Sequence, residues 1–127
     1  TGSTYYTNHP LVPKDKVIAI LNLEQVGVGQ MLGANYHYKY PELAKLSQKA
    51  NAMYVHRRLF TNETHFLTRP RTDGAVFMKA GYPCIDLWAL GSGYYHHPKD
   101  NIRSINPDIL RAATEWLYWT TIFIANK

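Results

Sequence analysis

Two adjacent histidines form the part of this 127-residue sequence that is best suited to chemistry. His96 and His97 lie in a polar loop, residues 91–101, that opens on glycine and directly follows the apolar run at residues 84–90. Neutral imidazole is the commonest metal ligand in proteins, and its second nitrogen usually needs an acceptor to hold it. A solvated surface loop is the alternative interpretation, and the residue types alone favour that alternative.

A carboxylate stands in a comparable position on another apolar run. Glu24 follows residues 17–23, which are apolar apart from Asn22. Open α/β sheets place their sites at the carboxyl ends of strands, so we expect Glu24 and His96 at the same edge of a sheet. One carboxylate and one imidazole make only part of a zinc site, because a catalytic zinc needs three protein ligands or more. On position alone, an exposed glutamate at a strand end is the better interpretation.

Three apolar stretches are predicted to be the strands that position these residues. They are residues 17–23, 53–60 and 84–90, and the first and last suit strands that are covered on both faces. Residues 5–16 and 61–71 are rich in proline or polar side chains and are predicted to be loops. Three strands are few for a parallel sheet, so the sequence looks like part of a larger one.

Helices are predicted between and after these strands. Helical spacing of apolar residues indicates a helix at residues 41–50, and Thr72 and Gly81 are suitable caps for one at residues 73–80. Asn106-Pro107-Asp108 is a typical start for a long final helix. The alternation of strands and helices predicts a layered α/β fold with a mainly parallel sheet.

The composition narrows the class of protein. The length predicts a single domain over residues 1–127. The formal charge of +5 comes from scattered Lys and Arg residues, so nucleic-acid binding is not indicated. Cys84 is the single cysteine, which excludes an internal disulfide and a zinc cluster of thiolates. The sequence has no apolar run of about 20 residues, so no membrane span is predicted.

Several ordered motifs carry a family resemblance. Residues 2–6 (GSTYY), 22–27 (NLEQVG), 71–77 (RTDGAVF), 80–83 (AGYP) and 95–101 (YHHPKDN) resemble motifs of the co-catalytic zinc aminopeptidases. That family includes the bacterial leucyl aminopeptidase type and aminopeptidase Y, with glutamate carboxypeptidase II and glutaminyl cyclase as more distant relatives. The resemblance implies the C-terminal part of a three-layer α/β/α sandwich with a mixed, mainly parallel sheet.

The resemblance also implies roles for single residues. Glu24 takes the position of a carboxylate ligand of zinc, and His96 takes that of an imidazole ligand because Pro98 follows two residues later. Asp73 matches a position that supports the ligands, with a carboxylate at a helix N-terminus as the alternative. Asp100 would orient the loop or its histidine, with a turn cap as the alternative. Tyr95 either lines the substrate pocket or packs in the core. His97 is the neighbour of the ligand, and a solvated loop histidine is the favoured interpretation for it. The complete site would hold two zinc ions, and its general-base glutamate pair would precede Thr1.

Two departures leave the function open. Glu24 stands where the family has aspartate, and Gly74 stands where it has histidine. The principal expectation is a zinc aminopeptidase that removes N-terminal residues from peptides. The alternatives are a binding or scaffold homologue that has lost zinc and a single-zinc acyl transferase of the glutaminyl cyclase kind. The expected partners are a peptide substrate and either the protein's own N-terminal portion or another copy, and the family favours a secreted or periplasmic location.

Overall fold

In the computed structural model, which describes residues 1–64, 71–91 and 94–127, four strands form one mixed sheet. The strands are β1 (Ile20–Glu24), β2 (Met31–His37), β3 (Leu59–Thr64) and β4 (Cys84–Leu90), and their order in the sheet is β1-β4-β2-β3. β1 runs parallel to β4 and β2 parallel to β3, whereas β2 and β4 are antiparallel. The mixed, mainly parallel sheet that the resemblance implies is therefore confirmed.

Helices lie on both faces of this sheet. They are α1 (Gly2–Asn8), α2 (Pro41–Ala50), α3 (Asp73–Lys79) and α4 (Pro107–Ala125). Helices α2 and α4 contact each other and cover one face. Helix α3 packs against β1 and β4 on the other face, and α1 packs against α3. This arrangement is the three-layer α/β/α sandwich. Among the helices of the described ranges, none is long and apolar enough to cross a membrane.

The core lies between the sheet and the pair α2 and α4. Because side chains alternate along a strand, Ile85 and Leu87 of β4 point to this face, and both are fully buried. Trp116 of α4 is also fully buried, and its indole nitrogen donates a hydrogen bond of 2.8 Å to the carbonyl of Ser47. That bond satisfies the only polar atom of the largest core side chain and links α4 to α2.

The structure differs from the sequence prediction in three segments. Residues 31–37 form β2, although Gly33 and Asn35 are residues that strands seldom contain. A β carbon on Gly33 would lie 2.3 Å from the ring of Trp88, which occupies that space. Residues 53–55 belong to a π-helical turn, and the strand begins only at Leu59. Residues 2–8 form α1, which the Thr1 side chain caps. His65, which the sequence predicts to be a structural histidine, lies outside the described residues.

His37, at the end of β2, is a buried histidine. Its side chain is 8% exposed, its ring packs against Tyr38 and Tyr40, and its Nδ1 accepts a hydrogen bond of 3.1 Å from the backbone N–H of Lys39. Burial lowers the pKa of His37 below its ordinary value, and the positive charge of Lys39 lowers it further. The neutral form is therefore the one that the fold prefers.

The titration of His37 predicts a loss of stability in mild acid. The unfolded chain binds this proton near pH 6.5 and the folded chain only at lower pH, so the stabilisation is lost as the pH falls below about 6.5. We expect the free energy of unfolding, measured by urea titration, to fall more steeply between about pH 6.5 and 5 in the wild type than in His37→Phe. Equal slopes in the two proteins would contradict this account.

Candidate functional site

Glu24 and the loop that carries His96 leave the sheet at the same edge. Glu24 ends β1, Leu90 ends β4, and the two strands are parallel neighbours. Two residues of this edge adopt left-handed backbone conformations: Gln25, directly after Glu24, with φ 47°, and His96 with φ 55°. Such conformations cost a non-glycine residue about 1–2 kcal/mol and are often found at functional sites.

Two glycines bring the loops after β1 and β4 into backbone contact. A β carbon on Gly91 would lie 2.6 Å from the backbone nitrogen of Gly29. The side chain of Asn106 donates a hydrogen bond of 2.9 Å to the carbonyl of Gly29, and its backbone N–H donates one of 2.7 Å to that of Gly27. The loop after Glu24 is thus fixed between the end of β4 and the start of α4.

A cavity lies between these loops, and we call it the tyrosine cavity. Its volume is about 190 Å3, and it is lined by Gln25, Gly27, Val28, Gly91, Tyr94, Tyr95, Asp100 and Ile105. Side chains from the Glu24 loop and from the His96 loop therefore face one space. Its walls are mostly apolar or aromatic, with Asp100 as the charged group.

The histidine loop has a defined local geometry. The His96 ring stacks on Tyr95, which is 62% exposed, with 3.8 Å between ring centres. The Nδ1 of His97 accepts a hydrogen bond of 3.1 Å from the backbone N–H of Lys99. The backbone N–H of Asp100 donates a hydrogen bond of 2.8 Å to the carbonyl of His97. His97 and Asp100 thus shape the turn through hydrogen bonds, and the His96 ring packs on Tyr95.

Glu24 and Asp73 line a second cavity of about 220 Å3, together with Arg71 and Thr72. The Oδ1 of Asp73, the first residue of α3, accepts a hydrogen bond from the hydroxyl of Ser3 in α1. The Oε1 of Glu24 accepts one of 3.1 Å from the side-chain amide of Asn22. The structure thus brings Glu24 and Asp73 to one cavity.

Sequence reasoning missed Asp86, a buried carboxylate in the middle of β4. It is 3% exposed, and a charged residue inside an otherwise apolar strand was the signal that could have revealed it. Burial raises the pKa of the Asp86 carboxyl, and hydrogen bonds from Thr72 and Asn22 oppose that rise. The nearby charges of Glu24 and Asp73 add to it.

Gly74 leaves the space that the Asp86 carboxyl occupies. A β carbon at Gly74 would lie 2.7 Å from the Cγ of Asp86, closer than such atoms approach in proteins. The fold therefore has no room here for the histidine of the resembling family while Asp86 is present. Gly74 and Asp86 are therefore sterically coupled.

This contact predicts the effect of Gly74→Ala on stability. Alanine normally stabilises a helix interior relative to glycine, but here the clash should destabilise the protein by about 1–3 kcal/mol. The double variant Gly74→Ala/Asp86→Ala should recover most of that loss, as measured by urea denaturation. A Gly74→Ala variant as stable as the wild type would show that the carboxyl can move away.

The donor atoms at this edge suit zinc, but their number is incomplete. Carboxylate oxygen and imidazole nitrogen are ordinary zinc ligands, and Glu24 and His96 supply one of each. Within the ranges that the structure describes, no group of three or more His, Cys, Asp or Glu side chains could hold a metal ion. Glu24 and His96 alone would be an incomplete set of ligands for a catalytic zinc.

The sequence matches a known protein family over most of its length. The model of that family, described as peptidase family M28, matches residues 1–120. The matched region contains Glu24, Asp73, His96 and all four strands. No curated protein matches the sequence.

Solved structures share the fold. Two structures of the LapA aminopeptidase from Legionella pneumophila match with TM-scores of 0.79 and 0.78 at 15% identity, over 99% of this chain and 36% and 37% of theirs. A structure from Clostridium acetobutylicum matches with a TM-score of 0.65 at 20% identity, over 87% of this chain and 26% of that one. This chain thus spans roughly a third of the length of LapA.

Proposed function

Because this chain belongs to peptidase family M28, we propose that it forms part of the active site of a zinc-dependent aminopeptidase. The observation that carries the proposal is that Glu24 and the loop with His96 follow two neighbouring parallel strands, β1 and β4, at the same end of the sheet. The similarity of the fold to that of the LapA aminopeptidase also supports an aminopeptidase function. The substrate would be a peptide with a free amino terminus.

The residues of this chain would bind and orient the reacting groups. Glu24 and His96 would supply one carboxylate and one imidazole ligand to a site of two zinc ions. Bound zinc would activate a water molecule and polarise the scissile carbonyl. The tyrosine cavity would hold the first side chain of the peptide against Tyr94 and Tyr95, and Asp100 at its rim would attract the positively charged amino terminus.

The remaining ligands and the general base would come from a further portion of the protein or from another copy, packed along β1. This strand is an outermost strand of the sheet, with a paired neighbour on one side. Ile18, just before it, is 74% exposed, and Leu11 is 89% exposed. Unpaired strand edges and exposed apolar residues are typical of surfaces that another segment covers.

The test is hydrolysis of leucine p-nitroanilide by the 127-residue chain alone and by the full-length product of its gene, each with and without a zinc chelator. We expect chelator-sensitive turnover from the longer protein and none from the 127-residue chain. Turnover by the shorter chain would mean that it contains a whole site. A longer protein without zinc or turnover would overturn the proposal in favour of a binding module, and one zinc with cyclisation of N-terminal glutamine would indicate an acyl transferase.

The proposal predicts that Glu24 can be shortened but not neutralised. Glu24→Asp restores the residue that the resembling aminopeptidases have, so turnover should stay within about tenfold of the wild type, less than the 10–100-fold typical when a ligand's support is lost. Glu24→Gln keeps the length but removes the charge, and it should lose more. A Glu24→Gln variant with higher kcat/KM than Glu24→Asp would contradict a metal-ligand role.

A further inference from the structure

Asp86 lies at the centre of a polar row that crosses the sheet. In register, Asn22 of β1, Asp86 of β4, Asn35 of β2 and Asn62 of β3 are neighbours, so their side chains point to the same face. This face is the one that α3 covers above β1 and β4. A buried carboxylate is costly unless hydrogen bonds satisfy it, so its partners indicate what it is held for.

Asp86 accepts two short hydrogen bonds, one on each oxygen. The hydroxyl of Thr72, the N-cap of α3, donates to Oδ2 at 2.6 Å. The side-chain amide of Asn22 donates to Oδ1 at 2.7 Å. Thr72 is itself fixed, because its Oγ1 accepts a hydrogen bond of 3.0 Å from the backbone N–H of Ala75. The carboxyl is therefore held by the start of one helix and by a neighbouring strand.

The amide nitrogen of Asn22 has two hydrogens, and both are used. It donates to Asp86 at 2.7 Å and to the Oε1 of Glu24 at 3.1 Å. Acceptance by Asp86 fixes which end of the Asn22 amide faces Glu24, because only the nitrogen can donate. A continuous chain of hydrogen bonds thus runs from Thr72 through Asp86 and Asn22 to Glu24.

We propose that Asp86 is a positioning residue that acts through Asn22 to hold the carboxylate of Glu24 in the orientation required for metal binding. The inference rests on the proposed function for the role of Glu24. A glutamate has one more rotatable bond than the aspartate of the resembling family, so it needs more restraint to present its oxygens in one direction. Gly74 makes this restraint possible, because a side chain there would displace the Asp86 carboxyl.

The test is a double-mutant cycle in the full-length protein, with Asp86→Ala, Asn22→Ala and the double variant. Zinc affinity is measured by competition with a chromophoric chelator, and kcat/KM is measured alongside. Loss of the groups that orient a ligand typically costs 10–100-fold in metal affinity, and we expect each single variant to fall in that range. Because the two residues act in series, the double variant should lose no more zinc affinity than the single variant with the larger loss. Multiplied losses in the double variant would overturn the inference.

Two further variants separate positioning from structural support. Asp86→Asn keeps the shape of the side chain and an oxygen that can accept a hydrogen bond from Asn22. Its zinc affinity should therefore exceed that of Asp86→Ala and stay within about tenfold of the wild type. Asn62→Ala lies in the same polar row, where its amide donates to Asn35 at 3.3 Å, and it should leave affinity unchanged. Loss in Asn62→Ala equal to that in Asp86→Ala, or no rescue by Asp86→Asn, would overturn the inference.

A measurement without metal keeps this inference separate from the proposed function. In the zinc-free protein, the side-chain amide signals of Asn22 and the carboxyl carbon signal of Glu24 can be followed by NMR. Asp86→Ala should shift and broaden both signals, while Asn62→Ala should leave them in place. Unchanged signals in Asp86→Ala would overturn the inference even if the protein proves to be an aminopeptidase. A shift in a protein that binds no zinc would support the hydrogen-bonded chain while the proposed function fails.

Discussion

Replacing His96 by alanine should lower zinc affinity and peptidase activity by more than about 100-fold, because loss of a direct ligand should exceed the 10–100-fold typical of its supporting groups. The imidazole of His96 stacks on the exposed ring of Tyr95. The Nδ1 of His97 already accepts a hydrogen bond from Lys99. We therefore expect His96 and His97 to differ in their contribution to metal binding.

His97→Ala is the matched control, since it removes the adjacent imidazole from the same loop. It should reduce zinc content and kcat/KM by only a few-fold, as expected for a residue that supports a turn. Zinc is measured by elemental analysis of the dialysed full-length protein. Equal losses in the two variants, or a larger loss in His97→Ala, would show that the ligand has been assigned one residue away from its true position.

Gly29→Ala should have the largest effect on stability among single-methyl additions at this edge. Gly29 has φ 86°, and a β carbon there would lie 1.8 Å from the carbonyl oxygen of Leu90. The left-handed backbone and the overlap with a main-chain atom together should cost about 2–5 kcal/mol. Because the loop after Glu24 must move to relieve the clash, zinc affinity should fall as well.

Gly2→Ala is the matched control for this substitution. Gly2 begins α1, and a β carbon there would meet no atom within 4 Å. Its urea midpoint should therefore stay close to that of the wild type, with a change in stability within about 0.5 kcal/mol. A Gly29→Ala variant with the same midpoint as Gly2→Ala would mean that the contact between the loops after β1 and β4 is not tight in solution.

The elements with strong local signals could be predicted from the sequence. The boundaries predicted for the helix at residues 41–50 and the strand at residues 84–90 agree with α2 and β4. β2 could not be predicted, because Gly33 is there to make room for Trp88 of another strand. The glycine at this position is explained by a tertiary contact, and no local pattern in the sequence reveals that contact.

The same distinction applies to the site. Glu24 and His96 could be expected at one sheet edge, because both follow apolar runs and such runs end together in parallel strands. The role of Asp86 depends on Thr72 and Asn22, which lie 14 and 64 residues away in the chain. Their convergence is produced by the packing of α3 and β1 against β4, which the sequence does not encode locally.

Anomalous diffraction at the zinc edge from crystals of the full-length protein tests the central claim most directly. The account predicts that a carboxylate oxygen of Glu24 and a ring nitrogen of His96 each bind zinc at about 2.0–2.2 Å. The two residues can share one ion or bind one ion each. Zinc peaks that contact neither residue, or no peak after incubation with zinc, would contradict it.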